Sequence, residues 1–142
     1  MLGVFLDRNS LHDHDLDFSE LDRLLPDLRY FQATAPHEVA ERIAEAEVVI
    51  SNKVVLDAAA LQQAQRLQLI CVAATGVNNV DLDAAAQRGI TVCNCRGYGT
   101  PAVVQHVFAL LLELMTQLSA YRQAVRAGRW QRSSQFCLLD FP

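Results

Sequence analysis

The sequence holds a single lysine, Lys53, and no run of basic residues. Twelve basic side chains stand against 16 acidic ones, for a net charge of −4. That balance argues against nucleic acid as a partner. Glycine is scarce, with six in 142 residues and none between Gly3 and Gly76. Neither a P-loop nor a Gly-x-Ser-x-Gly elbow is present. Among four cysteines, Cys93 and Cys95 form one Cys-x-Cys without a matching second pair, which is a poor zinc signature. They read as buried, reduced thiols of a cytoplasmic protein. The start, Met1 to Asp7, lacks a basic region and a cleavage site, so it reads as a strand rather than a signal peptide. The uninterrupted apolar stretch of the richest region, Val107 to Leu112, is far too short to span a bilayer.

What is present is apolar. Hydrophobic residues make up 51% of the chain and charged residues 20%, which excludes a disordered segment and predicts a soluble globular domain. A chain of this length buries roughly two-thirds of the surface its unfolded form exposes, so no disulfide or metal staple is needed.

Short apolar runs alternate with helical spacing. Strand-length runs cover Leu2 to Leu6, Leu28 to Gln32, Val48 to Ile50, Leu69 to Ala74 and Ile90 to Cys95. Between them lie helical segments: Phe18 to Leu25, a helix opened by Pro36, one capped by Asp57, and one capped by Asp81 and stopped by Gly89. The pattern is βαβαβαβαβ. Its strands are too apolar to alternate, which predicts a parallel sheet covered by helices on both faces. The expected order is 2-1-3-4-5, as in flavodoxin-like domains.

After this core the pattern changes. No glycine interrupts the stretch from Pro101 to Ala127, which predicts one helix of about 27 residues, or about 40 Å. Val103, Val107, Leu110, Leu111, Leu114, Leu118, Tyr121 and Val125 form one apolar stripe, and Val104, Phe108, Leu112 and Met115 a second. Two apolar faces require cover on more than one side, from another domain or a second subunit. The division expected is therefore residues 1–99 as one incomplete domain, and 100–142 as the helix with the start of something further. The apolar tail, Phe136 to Pro142, reads as an entry into a further domain.

Candidate site residues follow from the sheet, because ligands in such folds bind beyond the carboxyl ends of strands. Thr75 and Gly76 stand at the end of the fourth strand, where free backbone N–H groups suit a carboxylate or phosphate. A turn-making Gly76 and a merely capping Asp81 would explain the same residues. Asn52 and Lys53 follow the third strand, where a cation can steer an anion. Gly97-Tyr98-Gly99-Thr100-Pro101-Ala102 fits Gly-x-Gly-x-x-Ala. However, it follows the fifth strand rather than the first, and no second strand with a terminal acid comes about 20 residues on. His12, His14, His37 and His106 have no orienting partner that spacing can name, so no catalytic residue is assigned.

Two stretches are specific: Thr75-Gly76-Val77-Asn78-Asn79-Val80-Asp81-Leu82-Asp83-Ala84-Ala85, and Val92-Cys93-Asn94 with Tyr98-Gly99-Thr100-Pro101-Ala102-Val103-Val104-Gln105-His106-Val107-Phe108-Ala109-Leu110. On these the chain resembles the D-isomer-specific 2-hydroxyacid dehydrogenase family, most closely its glycerate dehydrogenase/hydroxypyruvate reductase branch. Asn78, Gln105 and Arg96 depart from residues common elsewhere in the family, where Asp, Glu and Pro are frequent. The resemblance implies an oxidoreductase that reduces a small 2-keto acid with NAD or NADP as cofactor. It places the substrate carboxylate on the backbone of Thr75 and Gly76, with Asn52 and Lys53 near it. It also places Thr75 and Val103 against the dinucleotide, and makes the helix near 101–127 the interface of a homodimer. The family's nucleotide-binding glycines and its catalytic Arg, Glu and His would all come after Pro142. The expectation is an N-terminal fragment that is inactive alone. A different class remains open: a self-contained flavodoxin-like module that binds an anion and dimerises.

Overall fold

Five four-residue strands, each followed or preceded by a short helix, occupy the first part of the chain. The computed structural model describes residues 1–11 and 16–135. The strands are β1 (Leu2–Phe5), β2 (Asp27–Tyr30), β3 (Val48–Ser51), β4 (Leu69–Val72) and β5 (Thr91–Asn94). Helices α1 (Ser19–Leu24), α2 (Val39–Ile43), α3 (Ala58–Gln63) and α4 (Leu82–Gln87) connect them. Every pairing is parallel, and the order is β2-β1-β3-β4-β5. The second strand starts at Asp27 and ends at Tyr30, slightly earlier than Leu28 to Gln32. It is set by pairing Leu2 with Asp27 and Phe5 with Tyr30.

Alternate residues of each strand build two cores. Val4, Leu6, Val49, Ile70 and Val72 face one side, packed with Val39 and Ile43 of α2, Leu61 of α3 and Ala85 of α4. Phe5, Val48 and Ile50 face the other, packed with Leu25, Leu21 and Phe18 around α1. The central β3 is buried along its length, whereas the outer β2 and β5 alternate between exposed and half-buried. Asp57 and Asp81 cap as expected, accepting from the N–H of Ala60 (2.8 Å) and Ala84 (2.9 Å). Gly89, at φ 67°, ends α4 in the left-handed region.

The cysteines correct the expectation of burial. Cys93 and Cys95 are exposed and Cys71 is half-buried, while Cys137 lies outside the described residues. The reason is the unequal helix cover. Three helices lie over one face, but α1 alone packs on the other, against residues of β1, β2 and β3. Cys93 sits on the outer strand β5, opposite Cys71 in register. Partial burial, with Cys93 and Cys95 nearby, pushes the Cys71 thiol up.

The chain divides into two units, Met1–Arg96 and Gly97–Pro142. The second contains α5 (Thr100–Thr116), α6 (Leu118–Arg126) and α7 (Arg129–Arg132). The single helix expected over 101–127 is therefore broken. Gln117 adopts the left-handed conformation, φ 47° and ψ 39°, and α5 and α6 are bent by 55°. Two side chains stabilise the break. Thr116 Oγ1 donates back to the Leu112 carbonyl at 2.6 Å. Glu113 Oε1 accepts from Ser119 N–H at 3.0 Å, satisfying a donor in the first turn of α6. No residue of α5 is buried. No single helix among the described residues is long and apolar enough to cross a membrane. The segment 136–142, with its apolar tail, lies outside the described residues, as do His12 and His14.

Candidate substrate-binding site

The carboxyl ends of β1, β3, β4 and β5 carry the polar residues of the first unit. At the end of β1, Leu6 N–H donates to the Ile50 carbonyl, holding the chain beside β3. Asp7 follows and is only 6% exposed. Its Oδ1 accepts from Asn52 N–H at 2.9 Å and its Oδ2 from Lys53 N–H at 2.6 Å. The Asn52 side-chain amide donates to the Ser10 carbonyl at 3.2 Å. The amides after β3 are thus already spent on an internal carboxylate. Asn52 is buried and Lys53 exposed, so of this pair only the Lys53 side chain extends toward solvent. Sequence reasoning singled out Asn52 and Lys53 but missed Asp7. Its signal was a lone acid closing the first apolar run, combined with a strand order that sets β1 beside β3.

Next to this loop lies the one after β4. Ala73 N–H donates to the Ser51 carbonyl at 2.9 Å, keeping the two loops adjacent. Asn79 Nδ2 donates to the Val54 carbonyl at 3.0 Å, and Leu56 pairs with Val80 in an isolated parallel bridge. From the other side β5 clamps Thr75. Asn94 Nδ2 donates to the Thr75 carbonyl at 2.7 Å, and Thr75 Oγ1 donates to the Cys95 carbonyl at 3.0 Å. Asn94 is a second residue without a role assigned from sequence.

Held in this way, the backbone N–H groups of Thr75, Gly76 and Val77 donate to nothing among the described residues. Thr75 and Gly76 are exposed. A Cβ at Gly76 would come within 3.1 Å of Asn78 Oδ1, so a larger residue would have to shift the Asn78 side chain. At the N-terminus of α4 the Asp81 carboxylate takes up the Ala84 N–H. Adjacent unpaired amides with a side-chain cation on the neighbouring loop can accept a carboxylate.

Val103 belongs to the second unit, on α5, and is 63% exposed. The turn before α5 does not suit a dinucleotide. Gly97 is left-handed, Gly99 caps the helix without a side chain, and Pro101 removes a donor from the first turn. No strand follows α5 among the described residues. His106 makes no hydrogen bond or ion pair among those residues, and His37, in a 3-10 turn at Pro36–Glu38, has no orienting hydrogen bond. The described residues therefore contain neither a dinucleotide cradle nor an oriented acid–base pair.

Fold and loops together define a doubly wound parallel α/β domain with unpaired backbone amides at the carboxyl end of its fourth strand. Residues 5–129 match the catalytic domain of the D-isomer specific 2-hydroxyacid dehydrogenases, and the chain belongs to that family. Over 139 residues it is 41% identical to a glycerate dehydrogenase of Methylorubrum extorquens, covering 98% of this chain and 43% of that one. It is 34% identical over 141 residues to a hydroxypyruvate reductase of Blautia hydrogenotrophica, covering 98% and 44%. An acyclic imino acid reductase, solved with NADPH and D-Arg, shares the fold with a TM-score of 0.79 at 19% identity, covering 100% and 44%. The chain thus spans less than half the length of these relatives.

Proposed function

We propose that this chain is the substrate-binding part of an NAD(P)-dependent D-2-hydroxyacid dehydrogenase that reduces a small 2-keto acid of the hydroxypyruvate or glyoxylate type. The observation that carries this reading is the set of unpaired amides at Thr75, Gly76 and Val77, aligned by Asn94 and by the loop after β3. In this role the amides hold the substrate carboxylate, and the Lys53 ammonium draws the anion toward them. Asn52 acts through its backbone and its bond to Ser10, positioning Lys53 rather than touching substrate. Thr75 and Val103 are the chain's contributions to the dinucleotide surface, and a nicotinamide cofactor supplies the hydride. A cytoplasmic location fits the reduced thiols.

The exposed apolar surface of α5 suits burial against a second copy, giving a homodimer through 101–127. In this reading the chain binds the keto acid without turning it over. Purified chain mixed with NADH and glyoxylate or hydroxypyruvate should leave NADH absorbance unchanged, while the acid shifts the Thr75 and Gly76 amides in nuclear magnetic resonance spectra. Robust NADH oxidation dependent on the keto acid would contradict the assignment of this chain as binding part alone.

A further inference from the structure

A second concavity lies within the first unit, at the point where the sheet order changes direction between β1 and β3. Crevices open at such switch points because the two loops leave toward opposite faces. Its volume is about 590 Å³, within the usual range for small-molecule pockets. Of the candidate-site residues, Lys53 and Asp7 line it, the Asp7 carboxylate being taken up by the Asn52 and Lys53 N–H groups; neither Thr75 nor Gly76 does. The lining includes the apolar Val39, Val54 and Ala60, with Lys53 and Asp57 among its charged groups.

The wall formed by residues 33–38 is built. Arg42 stacks over Phe31 at 4.0 Å, pairs with Glu38 at 2.6 Å, and donates to the Ala33 carbonyl at 2.7 Å and Thr34 Oγ1 at 2.6 Å. Glu38 Oε2 in turn accepts from Ala35 N–H at 2.7 Å. The concavity is therefore held open by a fixed network rather than by loose loop.

Its free charges have both signs. The Lys53 ammonium makes no ion pair or hydrogen bond among the described residues. Asp57 uses Oδ1 to cap α3, and its Oδ2 accepts nothing among them. A simple anion would meet the Asp57 carboxylate, and a simple cation the Lys53 ammonium. A ligand with a carboxylate and an ammonium on one carbon satisfies both, and an apolar remainder suits Val39, Val54 and Ala60. We propose that this cleft binds a free α-amino acid with a bulky apolar side chain, in a pocket that leaves out the Thr75 and Gly76 amides and shares only the Lys53 cation with the keto-acid reading.

The test titrates the full chain with L-phenylalanine, with phenethylamine, which lacks the carboxylate, and with 3-phenylpropanoate, which lacks the ammonium. Amide shifts of Val54, Asp57 and Ala60 should saturate with L-phenylalanine at concentrations about tenfold below either analogue. Because Lys53 faces both ligands, excess glyoxylate should weaken these shifts without abolishing them. Asp57→Asn keeps the capping oxygen and removes the charge. It should weaken L-phenylalanine about tenfold and leave 3-phenylpropanoate bound as well as before or better. Equal binding of the three probes, shifts centred on Thr75 and Gly76, or no saturable shift would each overturn the proposal. Complete displacement by glyoxylate would do so too, without bearing on whether Thr75 and Gly76 hold the keto acid.

Discussion

The two units use the same residue types to opposite ends. In Met1–Arg96, valine, leucine and isoleucine turn inward. Val4, Leu6, Leu56, Leu61 and Ile70 are fully buried, and the buried polar side chains sit at strand ends. In the unit that begins at Gly97, the same residue types lie outward, with Leu114 at 77% exposure and no buried residue in α5. Hydrophobicity alone does not decide burial. A strand that pairs on both edges and meets helices on both faces hides its side chains, whereas a helix that is apolar all round needs cover from elsewhere. The first unit is stabilised by its own contacts; the second presents a surface.

The strongest way to break that contrast is to truncate one leucine in each unit. Leu61→Ala should cost about 2–5 kcal/mol, since a fully buried side chain leaves a cavity. Leu114→Ala should change stability by less than about 0.5 kcal/mol. Urea unfolding followed by circular dichroism measures both. Equal losses would show that α5 is covered within the chain.

A smaller effect concerns the polar residues of the first unit. Asp7→Ala strands the N–H groups of Asn52 and Lys53 in a buried position. The expected loss is about 2–4 kcal/mol, and Asp7→Asn, which keeps an acceptor, should lose less. The same unfolding measurement ranks the two. An Asp7→Ala protein as stable as the parent would mean that this carboxylate does not organise the β3 loop.

In the second unit the expected changes are smaller still. Gln117→Gly removes the penalty of a left-handed non-glycine residue and should stabilise the α5–α6 junction by about 0.5–1 kcal/mol. A loss of helical signal instead would mean that the two helices join straight. The Glu113 cap gives the mildest response. Hydrogen bonds from the Ser119 side chain and backbone hold this carboxyl below the ordinary glutamate value. Because the folded-state value is lowered, the contribution is fully present above the unfolded value of about 4.3 and fades as pH falls through the folded one. The Ser119 amide resonance should therefore move at a pH below the ordinary glutamate value, and Glu113→Gln should remove that movement.

Much of the first unit was legible from its residues. Apolar runs located the strands, Asp57 and Asp81 announced helix starts, and Gly89 a stop, because each depends on neighbours along the chain. What escaped depends on neighbours in space. Asp7 meets Asn52 across a gap of 45 residues, and only the β1–β3 pairing brings them together. The cysteines looked buried because their run is apolar, but an outer strand with one thinly covered face leaves Cys93 outside. The break at Gln117 carried no glycine or proline to mark it. It is set by Glu113 reaching six residues along to Ser119. For the site, position after a strand drew attention to Thr75 and Gly76. The bonds from Asn94 and Asn79 that fix the two loops emerge only from the folded sheet.

The central claim is that the loop after β4 is the anion-accepting part of the chain. Titration of the isotope-labelled chain with glyoxylate, read at each backbone amide, tests it most directly. Saturable shifts confined to Thr75, Gly76 and Val77 are expected, weakened about tenfold by Gly76→Val, whose side chain crowds Asn78. Shifts that spare these three amides, or that survive Gly76→Val unchanged, would contradict it.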